Sequence, residues 1–241
     1  MNIFVDSADY SVGMALLDLV PVILFFVAGV FLLKDLYNKL VKGNYALLAT
    51  GSIMVLVAGV FKALYKILVA LNVCDWTALN SAFFPLQATG FLLLGAAMVG
   101  VFYSSKKDEN ATKTMAILPF SLLLVILAEV APFTSSMPFV VVQVIGATVF
   151  YVILFLIAFK MKSLPAMILD VVAFITMLGM GYLSTKASGA AGDTKMWNWI
   201  AEAVNTVSQG SLLAAVIILD KKGLAKQDAY SFRKAVKETN Y

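Results

Sequence analysis

Residues 14–33 read MALLDLVPVILFFVAGVFLL, an apolar run broken only by Asp18 and Pro21. An α-helix rises about 1.5 Å per residue, so about 20 apolar residues cross the hydrocarbon core of a bilayer. The run therefore predicts a transmembrane helix. A cleavable signal peptide would carry positive charge ahead of its apolar stretch. Here the preceding residues include Asp6 and Asp9, and the first lysine, Lys34, follows the run. The helix is expected to stay in the chain.

Six more runs follow at 45–71, 79–103, 115–131, 139–159, 164–183 and 197–219. Short polar linkers separate them, among them Lys42-Gly43-Asn44, Ser104 to Lys113, Pro132 to Pro138 and Ser184 to Asp193. The expected fold is an all-α integral membrane protein with seven transmembrane helices. Residues 1–223 form its single domain, and no separate soluble domain is expected. The whole 241-residue chain agrees: 61% hydrophobic, 13% charged, mean hydropathy +0.92. Soluble domains carry about 45–50% apolar and about 25% charged residues, so a water-soluble globule and a disordered chain are both excluded.

Lysine and arginine set the orientation, because they accumulate on the cytoplasmic side. With the N-terminus outside, the inner loops and tail hold most of the basic residues, from Lys34, Lys39 and Lys42 to Arg233, Lys234 and Lys237. The other side keeps Lys186 and Lys195, with Lys62 and Lys66 near it. The expected placement is multi-pass in the plasma (inner) membrane, N-terminus outside and C-terminus cytoplasmic. Residues 224–241 carry Ala225, Ala229, Phe232 and Val236 at helical spacing among basic residues. That pattern predicts an amphipathic tail helix on the inner leaflet; a solvated basic tail is the alternative. Seventeen lysines against one arginine are compatible with an AT-rich bacterial genome.

Composition also limits the chemistry. There is no histidine, and Cys74 is alone. Ser-His catalysis, His-ligated haem, His-liganded zinc and thiolate metal sites are excluded. No catalytic residue, metal or resident cofactor is expected, and no enzymatic role. The net charge of +4 is spread between apolar runs, so nucleic acid is not an expected partner. The bilayer is, and a homo-oligomer or a membrane partner remains open.

The second and third runs resemble the sixth and seventh. Ile53, Leu56, Gly59 and Gln87 recur as Ile175, Leu178, Gly181 and Gln209 at an offset of 122, and Asp75-Trp76 matches Asn198-Trp199 one residue out of register. A duplication is expected, with halves 14–104 and 138–220 joined by a linker helix 114–132. This 3+1+3 arrangement makes the halves parallel, and such repeats commonly hold a site between them near the midplane. That points to Gln87 and Gln209.

Polar residues inside a span are costly and mark functional candidates. Asp18, Glu129 and Glu202 lie near outer helix ends, and Asp170 alone lies in an inner half. Glu202, Asn205 and Gln209 share a helix face, as do Asn80 and Gln87. With Lys62 and Gln143, these residues other than Asp170 are expected to line an outward-opening pocket. Asp170 or Glu202 would carry a coupling proton or cation, although Asp170 could instead pair with Lys160 or Lys162. Lys62 and Lys66 also read as lysines snorkelling to the interface. Asp18 and Glu129 also read as interfacial carboxylates, and Gln87 and Gln209 as plain interhelical hydrogen bonds. Trp76 and Trp199 are either an interfacial aromatic belt or a lid on the pocket.

Seven helices, N-outside and built 3+1+3, resemble microbial rhodopsins and also the SWEET sugar-transporter and PnuC vitamin-transporter architectures. The closest local likeness is the segment from Asn205 to Gly210, which resembles the rhodopsin retinal-attachment segment. Asn205 stands where that family has an acid and Gln209 where it has the Schiff-base lysine, so no covalent retinal is implied. The rhodopsin third-helix pattern around Pro85 and the sugar-transporter prolines are absent. The resemblance implies a fold, and function must come from the site. Two expectations remain: a transporter or binding protein for an unidentified small solute, with its pocket between the first, second, third and seventh helices; or a retinal-free, rhodopsin-like receptor acting through a membrane partner.

Overall fold

A computed structural model describes residues 11–40, 42–103, 137–187 and 194–227, and these are all-helical, with no strand among them. The elements are α1 (Val12–Leu17), α2 (Leu19–Leu36), α3 (Lys42–Ala70), α4 (Thr77–Tyr103), α5 (Met137–Lys160), α6 (Leu164–Ala187) and α7 (Thr194–Lys221). Together α1 and α2 make the first span, Val12–Leu36.

The break between α1 and α2 falls at Asp18 and follows from Pro21. Proline has no N–H to donate to the carbonyl of Leu17, and its ring crowds that carbonyl. The ladder therefore opens at Asp18, whose own N–H still reaches Met14 O at 3.1 Å. Ser11 caps α1 by accepting from Met14 N at 3.2 Å. At the far ends of α3 and α5 the chain stops in the same way. Asn72 (φ 53°) and Lys162 (φ 51°) take the left-handed conformation. Val73 N then bonds Leu68 O at 3.0 Å, and Ser163 N bonds Ala158 O at 2.9 Å. These paired bonds satisfy the last helical carbonyls and turn the chain sharply.

The helices close into a ring. Successive helices from α2 to α7 pack on one another, and α7 returns to pack on α2. The ring is inverted relative to a soluble protein. Ile23, Phe26, Ile53 and Ile175 are at least half exposed, whereas Asp18, Lys66, Asp170 and Glu202 are buried. An apolar exterior with the charged groups turned inward is what a hydrocarbon solvent selects. Five of the helices are long and apolar enough to cross a membrane, and Leu164–Met180 is apolar but shorter. The chain is thus a helical membrane protein.

Two crossings depend on glycine. A Cβ on Gly51 would lie 2.7 Å from Gly90 O, bringing α3 and α4 into backbone contact. A Cβ on Gly146 would lie 2.5 Å from Leu92 N, and one on Gly95 2.6 Å from Gly146 O, so α4 and α5 touch likewise. Without a hydrophobic drive between helices in lipid, such close approach supplies the attraction through dispersion.

Several sequence expectations are adjusted. The fourth run, 115–131, and the linker helix 114–132 lie outside the described residues. Lys42-Gly43-Asn44 opens α3 rather than linking two helices, with Asn44 buried. Of the tail, the described beginning is a 3₁₀ turn, Leu224–Lys226, after left-handed Gly223. Leu224 is fully buried there, so this piece docks against the bundle. The remainder of 224–241 lies outside the described residues.

Substituting Gly146→Val forces backbone apart at α4–α5 and is expected to lower stability by about 1–3 kcal/mol, as overpacking does. Gly179 has open space around its Cα, so Gly179→Ala is expected to stabilise by about 0.5–1 kcal/mol through helix propensity. Thermal unfolding of the purified protein in one detergent checks both signs.

Candidate functional site

Four charged side chains meet where α1–α2, α3 and α7 converge. The Asp18 carboxylate projects from the Pro21-induced break. Lys62 and Lys66 are one helical turn apart on α3, and Glu202 lies two turns into α7. Lys66 Nζ is 2.7 Å from Asp18 Oδ2 and donates to Glu202 Oε1 at 2.7 Å. Lys62 Nζ is 3.9 Å from the same Glu202 oxygen and 4.8 Å from the Phe83 ring centroid. The Asp18, Lys66 and Glu202 side chains are at most 5% exposed, and Lys62 is 28% exposed. Two cations against two carboxylates make the cluster formally neutral. A lone buried charge would be prohibitively costly, and Lys66 is tolerated because both carboxylates touch it.

Beside the cluster lies an amide-lined space. Lys62, Phe83, Gln87, Phe91, Asn205 and Gln209 line two adjoining cavities in common. One, about 480 Å³, reaches Asp18 and Phe25 on the first span. The other, about 740 Å³, reaches Gln143 on α5 and Met177 on α6. Both volumes include space open to solvent. Small-molecule sites are commonly concave, mostly apolar, and supplied with a few placed polar groups. Gln209 Oε1 is buried with no hydrogen-bond partner. Glutamine amides are often flipped between O and N; either way one end of this amide is unsatisfied. The second oxygen of Glu202, Oε2, is buried and unpartnered as well.

The sequence-predicted residues divide by position. Asp18, Lys62, Gln87, Gln143, Asn205 and Gln209 line one or both cavities. Glu202 is in the ion cluster beside them. Asn80 is exposed and lines neither cavity, although it shares a helix face with Gln87. Trp76 and Trp199 are 55% and 40% exposed and also line neither, so the lid expectation finds no contact to rest on; an interfacial belt fits their exposure. Glu129 lies outside the described residues. Asp170 is buried, away from both cavities, and has no ion pair with Lys160 or Lys162. Among the described residues no group of three or more acids and cysteines is arranged to hold a metal ion.

Lys66 is the residue that sequence reasoning passed over. Snorkelling was its favoured reading; burial at the centre of the cluster replaces it. The signal was present: Lys62 and Lys66 are spaced i, i+4, and two carboxylates fall at matching depth on other spans. No known family model matches the chain, and neither a curated protein nor a solved structure gives a significant match.

Removing Lys66 alone leaves two carboxylates buried against each other. Lys66→Met is expected to cost about 3–5 kcal/mol, as breaking a buried ion pair does. Changing all four, Asp18→Asn, Lys62→Met, Lys66→Met and Glu202→Gln, removes the charges together and is expected to recover most of that loss. Lys195→Met, which removes an exposed lysine outside the cluster, is the near-neutral control. Chemical or thermal unfolding of the four proteins measures the pattern.

Proposed function

We propose that this chain is a seven-helix membrane protein that binds a small polar solute in the amide-lined cavity and transports it. The fourth run, 115–131, is its remaining span. It sits in the plasma membrane of a bacterium with the N-terminus outside, so the ion cluster faces outward. In this reading the parallel halves each contribute one glutamine, Gln87 and Gln209, to the cavity lining. No catalytic residue, metal or covalent retinal takes part.

The observation that carries this reading is the unsatisfied Gln209 amide beside the cavity. A buried polar group without a partner costs about 1–3 kcal/mol. A solute that hydrogen-bonds it recovers that cost. The neutral cluster imposes little net field, so the preferred solute is uncharged or zwitterionic, carries hydroxyl, amine or amide groups, and has an apolar part against Phe83 and Phe91.

A second reading, a retinal-free receptor signalling through a membrane partner, is favoured by the opposite end of the bundle. There the interior is closed by an apolar core including Leu94, Leu154, Leu212 and Leu219. Lys34 bonds Asp220 Oδ1 at 2.7 Å, Lys39 bonds Ala225 O at 2.9 Å and Lys222 bonds Lys162 O at 2.9 Å. A transporter must open this end, whereas a receptor need not.

A thermal-shift screen against sugars, amino acids, nucleosides, vitamins, amines and retinoids is expected to give a polar hit, because a ligand of the folded state raises apparent stability. Gln209→Leu is expected to weaken that hit roughly three- to tenfold, the worth of one hydrogen bond. An unchanged hit in Gln209→Leu removes the cavity from the account. Uptake of the hit into proteoliposomes then supports the transporter; binding without uptake supports the receptor.

A further inference from the structure

Along α6, Asp170, Ala173 and Met177 fall at i, i+3 and i+7, on one face. Met177 lines the larger cavity. Asp170 lies about 10 Å further along the helix, at 1.5 Å per residue, toward the end that holds Lys34 and Asp220. It is 2% exposed, and its Oδ1 is fully buried with no hydrogen-bond partner. Across from α6, Tyr151 on α5 is 1% exposed and its hydroxyl is likewise buried without a partner. Its ring is held between Phe150, with centroids 5.2 Å apart, and Phe174, at 5.5 Å. Ser208 on α7 is fully buried and donates to Ala173 O at 2.9 Å.

Among the described residues, charge compensation is what this group lacks. Every other buried carboxylate described has a lysine within 4 Å: Asp18 and Glu202 have Lys66, and Asp35 has Lys34 at 3.7 Å. On the elements packed against α6, Lys160 is over the Phe102 ring, Glu202 is paired with Lys66 and Asp220 with Lys34. Lys221 is exposed at the helix end. The remaining titratable group facing Asp170 is the Tyr151 phenol. An uncompensated carboxylate in a low-dielectric interior is not sustained; it takes up a positive species.

We propose that Asp170, Tyr151 and Ser208 form a proton-binding site in the interior of the bundle, between the solute cavity and its closed end. The bound species is a proton on the Asp170 carboxyl, which is thereby neutral in the resting protein. The proton removes the uncompensated charge and gives the carboxyl a donor of its own, which an ionised carboxylate lacks. Ser208 is also the sequence neighbour of Gln209, so a shift of α7 that reorients the cavity amide moves a wall of the proton site too. As a coupling site it rests on the transport reading; as a proton site it does not.

Infrared spectroscopy of the full-length protein in lipid, at neutral pH, reads the proton directly. The difference between wild type and Asp170→Asn is expected to show a protonated-carboxyl C=O stretch that shifts in D₂O. Tyr151→Phe, which removes one oxygen, is expected to keep the band and move its frequency. Superimposable spectra of wild type and Asp170→Asn in that region would overturn the proposal. So would a rise in wild-type melting temperature on replacing choline with sodium that Asp170→Asn abolishes, because a metal cation would then be the bound species. Asn mimics the neutral acid in shape, so Asp170→Asn is expected to melt within a few degrees of wild type. If proteoliposomes take up no solute, the transport reading fails while the infrared result stands.

Discussion

Lys66 is the interaction on which the rest of the arrangement depends. It reaches from α3 to carboxylates on the first span and on α7, joining the beginning and the end of the chain. That seam joins the first and last described spans, which have no short connection to hold them together. The opposite end repeats the device. Lys34 on α2 lies 3.7 Å from Asp35 and 2.7 Å from Asp220 on α7. The two clamps differ in burial. Lys66 is sealed off from water, where removal of one partner is costly. Lys34 is 57% exposed, where an ion pair is worth little. A bundle pinned firmly at one end and lightly at the other would open first at the lightly pinned end, which is the end a transporter must release.

Between the clamps the interior changes character. Below the ion cluster come the amides Asn205 and Gln209 and the aromatic rings Phe83 and Phe91, then Asp170 with Tyr151 and Ser208, then an apolar plug. Polar residues continue along α7 from Glu202 to Ser211, give way to an apolar run at 212–219, and return at Asp220. Buried polar groups are expensive in this setting, and Asn205 and Gln209 of this column line the cavities, where a solute can reach them.

Much of this was legible in the sequence. Hydropathy placed each described helix to within four residues, because the bilayer sets helix length. The expense of intramembrane charge singled out Asp18, Glu202 and Asp170. What pattern could not supply was depth and partnership. Asn80 and Gln87 do share a face, but a seven-residue step also moves about 10 Å along the axis, and Asn80 ends above the cavity and exposed. Lys66 looked like an interfacial lysine because a single helix does not reveal that two carboxylates on other helices will surround it. The kink at Asp18 was foreshadowed by Pro21, yet its consequence, a carboxylate turned toward α3, depends on the packing of three helices.

Side-specific access tests the central claim most directly: a cavity beside the Lys66 cluster, reached from the N-terminal side. In a Cys74→Ser background, Asn205→Cys places one thiol on the cavity wall. A membrane-impermeant thiol reagent applied to intact cells is expected to modify it, and bound solute is expected to slow the reaction. The same reagent applied to the cytoplasmic face of inverted vesicles is expected to leave it intact. Modification only from the cytoplasmic face, or from neither face, would contradict the account.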